Sequence, residues 1–350
     1  MMKILYLYTE VMGYTVATIE ELKQNGAEIH LVHWDTKKKT PYKITNSNKL
    51  YLYPKSKENR NSLVKLANEL NPDITVVAGW VDKDYLYVAS TLKKKGKTVV
   101  CGLDGQWHGT LKQHIGSVLG IINFFKKYFS HAWIAGIYQF EYARKFGFKK
   151  EEIIFDLYSA DISKFSDAYI NNLNFKKKNY PHRFLFVGRF EKIKGLELLL
   201  KAWVGLKESK QDWELHLIGN GSLKNKLIEI ENIVVRDFMQ PEKLINEIKE
   251  AGCFVLPSIY EPWGVVLHEF AAAGLPLVAS KEVGASKSFL IDNFNGFYFN
   301  SQDFKSLKSK MLQIIEMSDE ELLRLSRNSN ELSNRITPKT SANNLLSLTS

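Results

Sequence analysis

Residues 256–280 read LPSIYEPWGVVLHEFAAAGLPLVAS, and this stretch decides the fold. An apolar strand ends at Ser258, and Glu261 follows in a loop. Pro262 and Gly264 then admit a helix that runs to about Ala273, where Gly274–Pro276 stops it. The free amides of Gly264, Val265 and Val266 point out of the helix N-terminus, a setting that suits a phosphate. Glu269 follows Glu261 by eight residues, which at 100° per residue places it just over two turns on. One carboxylate thus stands ahead of the phosphate site and one beside it. Carboxylates with no metal ligands nearby are good acceptors for sugar hydroxyls, and a nucleotide sugar offers hydroxyls on both sides of its diphosphate. Taken alone, the pair has a plainer reading: Glu261 caps the helix and Glu269 lies on a solvated face.

Outward from this stretch, short β-branched runs alternate with helical patterns. Toward the C-terminal side of the chain, strands are expected at Arg183–Val187, Trp213–Ile218, Ile233–Val235, Cys253–Leu256, Leu277–Ala279 and Gly296–Phe299. Helices are expected at Leu196–Leu206, Leu223–Ile230, Pro241–Glu250, Val265–Ala273 and Phe304–Ile315. The first half shows the same rhythm, with strands at Lys3–Tyr8, Glu28–Trp34, Ile74–Ala78, Thr98–Gly102, Ala132–Ile134 and Ile153–Phe155. Its helical patterns include Ser62–Leu70 and Tyr138–Phe146. Between the halves, Ser166–His182 is polar, Asn/Lys-rich and contains Pro181, and reads as a linker. This is an α/β chain of two doubly wound parallel sheets in series. The expected division is 1–165, a linker at 166–182, a second domain at 183–330, and a helical tail at 331–350 that could cross back to the first domain. Ligands of such sheets bind at the carboxyl ends of the strands. Two such edges facing a central cleft could hold a donor on one side and an acceptor on the other.

Leu256–Ser280 resembles the E-x7-E region of retaining glycosyltransferases of family 4, the "glycosyl transferases group 1", which have the GT-B fold. Other segments agree in the same order. FVGRFEKIKGLELLLKAW (Phe186–Trp203) resembles the strand, loop and helix that open the donor domain. LHLIGNGSLKNKL (Leu215–Leu227), FMQPEKLINEIKEAGCFVLPS (Phe238–Ser258) and VGASKSFLIDNFNGF (Val283–Phe297) resemble the units that follow. The similarity covers nearly all of 183–300. It implies that Arg189 and Lys194 contact the donor diphosphate, that Glu261 holds donor-sugar hydroxyls, that Glu269 holds the ribose, and that the backbone at Asp237–Phe238 faces the base. It also implies retention of anomeric configuration and no divalent metal. The chemistry of the residues fits, since two cations and a helix N-terminus can hold the charge that grows on a departing nucleoside diphosphate.

The first half carries fewer signals. The family often has a Gly-containing loop after its first strand; here Glu10–Gly13 has one glycine, Gly13, rather than a pair. After the strand at 98–102 comes LDGQWHGT, with Asp104, Gln106, Trp107 and His108 at a strand end. The resemblance implies a histidine here near the donor sugar and reacting bond; His108 is the first candidate and Asp104 the second. The other reading has Asp104 capping the next helix and Trp107 packing in the core. Asp82-Lys83-Asp84 reads as a helix cap rather than a metal site. Leu111–Phe129 joins apolar and aromatic residues to Lys112, Lys126 and Lys127, and reads either as a membrane-interface segment or as an ordinary helix on the sheet.

Composition sets the outer limits. Hydrophobic residues at 45% and charged residues at 25% are ordinary for a globular protein. Only two cysteines, both in apolar runs, argue against a disulfide scaffold. The start of the chain, MMKILYLYTE, is one apolar strand without a signal-peptide cleavage region, so a cytoplasmic location is expected. The net charge is +10. Residues 1–170 hold 24 Lys+Arg against 17 Asp+Glu, a surplus of seven. An anionic membrane surface is therefore a candidate partner, although a merely solvated Lys-rich surface gives the same count. The expected function is transfer of a sugar from a nucleoside-diphosphate sugar to a glycan or lipid-linked acceptor in surface-polysaccharide or glycoconjugate synthesis. The nucleotide sugar serves as co-substrate, with no cofactor and no metal. Rival readings are a nucleotide-sugar epimerase, a dinucleotide-dependent oxidoreductase and a nucleic-acid-binding protein. The oxidoreductase lacks its G-x-G-x-x-G turn, and scattered basic residues form no recognisable nucleic-acid module, so no nucleic-acid partner is expected.

Overall fold

The structure is a computed structural model that describes every residue except 37–43, 207, 208, 210, 211, 229–232 and 350. The last two residues of the helix expected at Leu223–Ile230 lie outside the described residues, as does the end of the tail. The chain divides into two compact units. One is Met1–Ser159 with Pro338–Ser350, the other Ala160–Thr337.

Among the described residues of the first unit, seven parallel strands run β1 (Lys3–Tyr8), β2 (Glu28–His33), β3 (Leu50–Pro54), β4 (Ile74–Ala78), β5 (Thr98–Leu103), β6 (His131–Ile134) and β7 (Ile153–Ile154). Their order is β3-β2-β1-β4-β5-β6-β7, so the sheet reverses between β1 and β4. Helices α1 (Gly13–Gln24), α2 (Arg60–Leu70), α3 (Lys83–Lys94), α4 (Leu111–Ile121) and α5 (Ile137–Lys145) connect the strands. Parallel strands covered on both faces must be apolar throughout, and residues 4–8 of β1 and 29–33 of β2 are all buried. Local signals start the helices. Asp82 Oδ1 accepts from the amides of Asp84 (2.9 Å) and Tyr85 (3.2 Å), while Asp84 pairs with Lys55 and Arg60. Thr110 and Gln113 form a capping box on α4.

The second unit begins with α6 (Ile162–Lys178) and continues, among the described residues, through six parallel strands. These are β8 (Arg183–Val187), β9 (Glu214–Ile218), β10 (Ile233–Arg236), β11 (Cys253–Leu256), β12 (Leu277–Ser280) and β13 (Gly296–Phe299), in the order β10-β9-β8-β11-β12-β13. Its other helices are α7 (Leu196–Val204), α8 (Lys224–Ile228), α9 (Pro241–Lys249), α10 (Val265–Ala272), α11 (Ser286–Phe289), α12 (Phe304–Ile315) and α13 (Asp319–Ser333). The chain then returns to the first unit as α14 (Pro338–Leu346), where Ser341 Oγ donates to Asp156 O (2.5 Å) and Asn344 Nδ2 to Phe155 O (3.2 Å).

Two expectations need correction. The stretch 166–182 is not a linker: most of it is helix α6, which packs on α9, α10 and α13. Ile162, Phe165 and Ala168 mark its buried face, and the Asn/Lys residues between them hide the 3.6-residue period. Lys176 stands where a fourth apolar residue would, with Nζ donating to Ala251 O (2.7 Å); burial pushes its amine down to about 7. The unit boundary accordingly falls at 159/160 and the tail divides at 337/338. In addition, β3 was not expected. Pro54 reads as a breaker, yet it sits at the end of a strand on the sheet edge, where no neighbour needs its missing N–H.

Candidate active site

In the second unit the sheet order reverses between β8 and β11, the point where open α/β sheets take ligands beyond the carboxyl ends of their strands. Four loops meet there. Ile259 N donates to Ile193 O (2.9 Å), joining the loops after β8 and β11. Phe190 N donates to Asn220 O (2.8 Å), adding the loop after β9. Glu261 is clamped at both ends, its N donating to Glu282 O (3.3 Å) and its O accepting from Gly284 N (3.0 Å) beyond β12.

Two glycines permit this closeness. Gly195 has φ +70°, and a Cβ there would lie 1.9 Å from Pro257 O. Gly264 has φ +88°, and a Cβ there would lie 2.8 Å from Glu261 Cγ. Only glycine combines a left-handed backbone with so little room. Gly264 is the N-cap of α10, so the first amides of Val265 and Val266 have no partner within the helix. The helix is anchored by its other face: Leu267 and Phe270 are fully buried, with Phe270 stacked on Phe254 at 4.2 Å. Each such side chain contributes roughly 1.5–3 kcal/mol by burial.

Lys194 and Glu261 are brought together. Lys194 Nζ donates to Glu261 Oε2, and Ser258 Oγ donates to the same oxygen at 3.3 Å. Both side chains are largely covered, at 14% and 12% exposure. The resemblance implies that one residue meets the phosphate and the other the sugar; the structure pairs the two with each other. The N-cap of α10 is Gly264, three residues beyond Glu261. Arg189 is exposed on the same loop as Lys194. Beside it, Glu191 accepts from Ser222 N (3.2 Å) and Oγ (2.8 Å), and these hydrogen bonds hold its carboxyl below the usual range.

Because α10 starts only at Val265, Glu269 is its fifth residue, one turn in rather than two. It is half-buried rather than on a solvated face. Burial pushes its carboxyl up to about 7, with Asp161 adding to the rise and Lys164 opposing it. Lys164 is drawn toward Glu242, 2.5 Å from its Nζ. After β10, Asp237 pairs with Lys224, and Phe238 is 39% exposed.

Two residues escaped the sequence reading. Ser258, fully buried, orients Glu261 and accepts at its carbonyl from Ser280 Oγ (2.7 Å). His268, next to Glu269, is also fully buried. Its Nδ1 accepts from Ala160 N (3.0 Å), so its Nε2–H donates to Ser333 O (2.8 Å), and burial lowers its pKa to about 3. A buried histidine on an apolar helix face leaves no mark in the sequence beyond its position.

In the first unit, Gly13 opens α1 just beyond β1. Asp104 is exposed after β5, and Tyr158 Oη donates to its Oδ2 at 3.4 Å. His108 is exposed, with its N donating to Gln113 Oε1 (2.8 Å). Asp104 does not cap α4; Thr110 does. Trp107 packs against the core, edge-on to His114 at 5.1 Å.

Comparison with known proteins bears on the fold. Sucrose-phosphate synthase of Thermosynechococcus elongatus superposes with TM-score 0.73 at 16% identity, covering 99% of this chain and 97% of that one. HepE of Anabaena in complex with UDP gives 0.72 at 15%, covering 99% of both chains. The fold is GT-B. By sequence, an uncharacterized glycosyltransferase of Methanocaldococcus jannaschii is 32% identical over 161 residues, 43% of this chain and 43% of that protein. The chain thus spans less than half the length of the curated relatives it matches. Residues 170–332 match the family described as glycosyl transferases group 1. The second unit of this chain belongs to that family.

Proposed function

We propose that the protein is a retaining glycosyltransferase that passes a sugar from a nucleoside-diphosphate sugar to a glycan or lipid-linked acceptor in surface-polysaccharide or glycoconjugate synthesis. The observation that carries this reading is the Lys194–Glu261 pair set against the N-terminus of α10. A diphosphate offers Lys194 a stronger partner than one carboxylate, which frees Glu261 to accept sugar hydroxyls. As the bond from the sugar to the phosphate oxygen breaks, its electron pair and charge pass to the diphosphate. Arg189, Lys194 and the amides of Gly264, Val265 and Val266 are placed to stabilise that charge. Glu269 would take the ribose, and Asp237–Phe238 the base. UDP bound to the structural neighbour HepE supports a nucleotide donor. In the first unit, Gly13 is the proposed backbone contact to the donor, and Asp104 and His108 the contacts to the sugar and reacting bond.

The test is transfer of labelled sugar from a panel of nucleotide sugars, run in EDTA. Among the described residues no group of three or more His, Cys, Asp or Glu could hold a metal ion. Full turnover in EDTA, with the anomeric configuration of the donor kept in the product, is expected. Restoration by Mg²⁺ or Mn²⁺ of an EDTA-abolished activity would contradict the metal-free reading. Isomerised nucleotide sugar without transfer would point to an epimerase.

A second expectation concerns the diphosphate alone. Replacing both Arg189 and Lys194 with alanine should weaken its binding more than about tenfold, since charge-assisted hydrogen bonds contribute about 1.5–3 kcal/mol each. Calorimetry giving an unchanged Kd would remove both residues from the site.

A further inference from the structure

Helix α4 and its C-cap Ile122 turn most of their aliphatic residues outward, while Leu119 packs against the core. Leu111, Ile115, Val118, Ile121 and Ile122 are all exposed, Leu111 and Ile121 by 78% and 77%. At about 100° per residue they fall within one arc of about 120°. The opposite arc carries Gly116 and Gly120, both buried. A Cβ at Gly120 would lie 2.4 Å from Lys145 O, and one at Gly116 would lie 2.8 Å from the Phe146 ring. The helix therefore lies backbone to backbone on the end of α5, and rolling its aliphatic face inward would drive side chains into filled space. Single exposed apolar residues are ordinary on a soluble surface, but five on one helical face make a patch that marks an interaction site.

The surroundings are basic. Residues 101–150 hold seven Lys+Arg against two Asp+Glu. Lys112 is exposed on α4 itself, and Lys127 is exposed just beyond it, over the Phe124 ring at 5.3 Å. Lys126 is engaged with Glu152 in the turn that carries Lys150, which is exposed. We propose that this face docks on an anionic lipid surface, with the aliphatic stripe at the boundary of headgroups and acyl chains and the lysines on lipid phosphates. Among the described residues no helix is long and apolar enough to cross a membrane, so α4 lies on the bilayer. A second copy of the chain is a poorer occupant, because two-fold pairing through this stripe sets the same lysines against their symmetry mates.

The test is flotation of the full chain with vesicles of phosphatidylcholine alone or of equal parts phosphatidylcholine and phosphatidylglycerol. Recovery with the mixed vesicles should be at least about tenfold higher and should fall with salt. Val118→Glu with Ile121→Glu should abolish it, and Lys112→Glu with Lys127→Glu should reduce it to the level of neutral vesicles. These positions are exposed, so the variants should keep the wild-type Tm and nucleoside-diphosphate affinity. Equal recovery on both vesicle types, or indifference to the paired glutamates, overturns the proposal. So does a dimer mass by light scattering that the glutamates split, which would assign the face to a second copy.

Discussion

Replacing Glu261 with alanine should lower turnover by about two to three orders of magnitude, the scale of losing one preorganised polar contact to a transition state. The same change should leave affinity for the free nucleoside diphosphate within about threefold, a contrast that marks an interaction with the sugar alone. The Lys194–Glu261 pair sets the direction of the small effect. Glu261 competes with the diphosphate for Lys194, so its removal should tighten nucleotide binding slightly rather than weaken it. Stability should fall by about 1–3 kcal/mol, because Lys194 and Ser258 lose a shared acceptor in a mostly covered pocket. Glutamine keeps an acceptor without the charge. If Glu261→Gln recovers stability but not turnover, the charge is needed for the sugar; if it recovers both, hydrogen bonding suffices. Activity measured per folded molecule separates either outcome from simple loss of protein. A fully active alanine variant would remove Glu261 from the catalytic reading.

Much of this arrangement is legible in the sequence. The strand–Gly–helix pattern at 256–280 placed β11, α10 and β12 to within a residue or two, because apolar runs, Pro262 and Gly264 all signal locally. The pairing of Lys194 with Glu261 was not legible. It depends on two loops 67 residues apart being held together by the Ile259–Ile193 hydrogen bond and by the absence of a Cβ at Gly195. The register of Glu269 is hidden for a local reason: the turn at Glu261–Gly264 is not helical, so counting from Glu261 overstates its depth by one turn. Helix α6 was hidden by composition, since Asn and Lys on its outer face outweighed Ile162, Phe165 and Ala168. Its N-cap Asp161 and first-turn Lys164 are the two charges that tune Glu269, more than a hundred residues later. Sequence patterns report what one element needs, whereas the electrostatics of a site come from elements that meet only in the fold.

Glu269 should therefore show opposite effects on binding and on stability. Its folded-state pKa lies near 7, above the ordinary 4.5, so the folded protein holds a proton that the unfolded chain has released between those values. Stability from this group is fully present below about pH 4.5 and is lost as pH rises to about 7, with no further loss above. Glutamine cannot ionise. The Glu269→Gln variant should match the wild type near pH 4.5 and exceed it by about 1–3 kcal/mol at pH 8, discounting the full shift because the side chain is only half-buried. His268 remains in both proteins and is neutral in the fold down to about pH 3, so it adds no titration of its own across this window. Binding runs the other way. A carboxylate that accepts ribose hydroxyls is most effective when ionised, so wild-type affinity for a nucleoside diphosphate should rise through pH 7. Glu269→Gln at pH 8 should bind about tenfold or more weakly, the loss of one charge-assisted contact. The terminal phosphate of the ligand also ionises near pH 6, but that change appears equally in the variant and isolates the Glu269 contribution. Matched thermal melts and titrations from pH 5 to about 8.5, across the window the shift defines, decide the matter. A variant both more stable and equally tight would leave Glu269 a strained residue without a ligand, and the ribose assignment would fall.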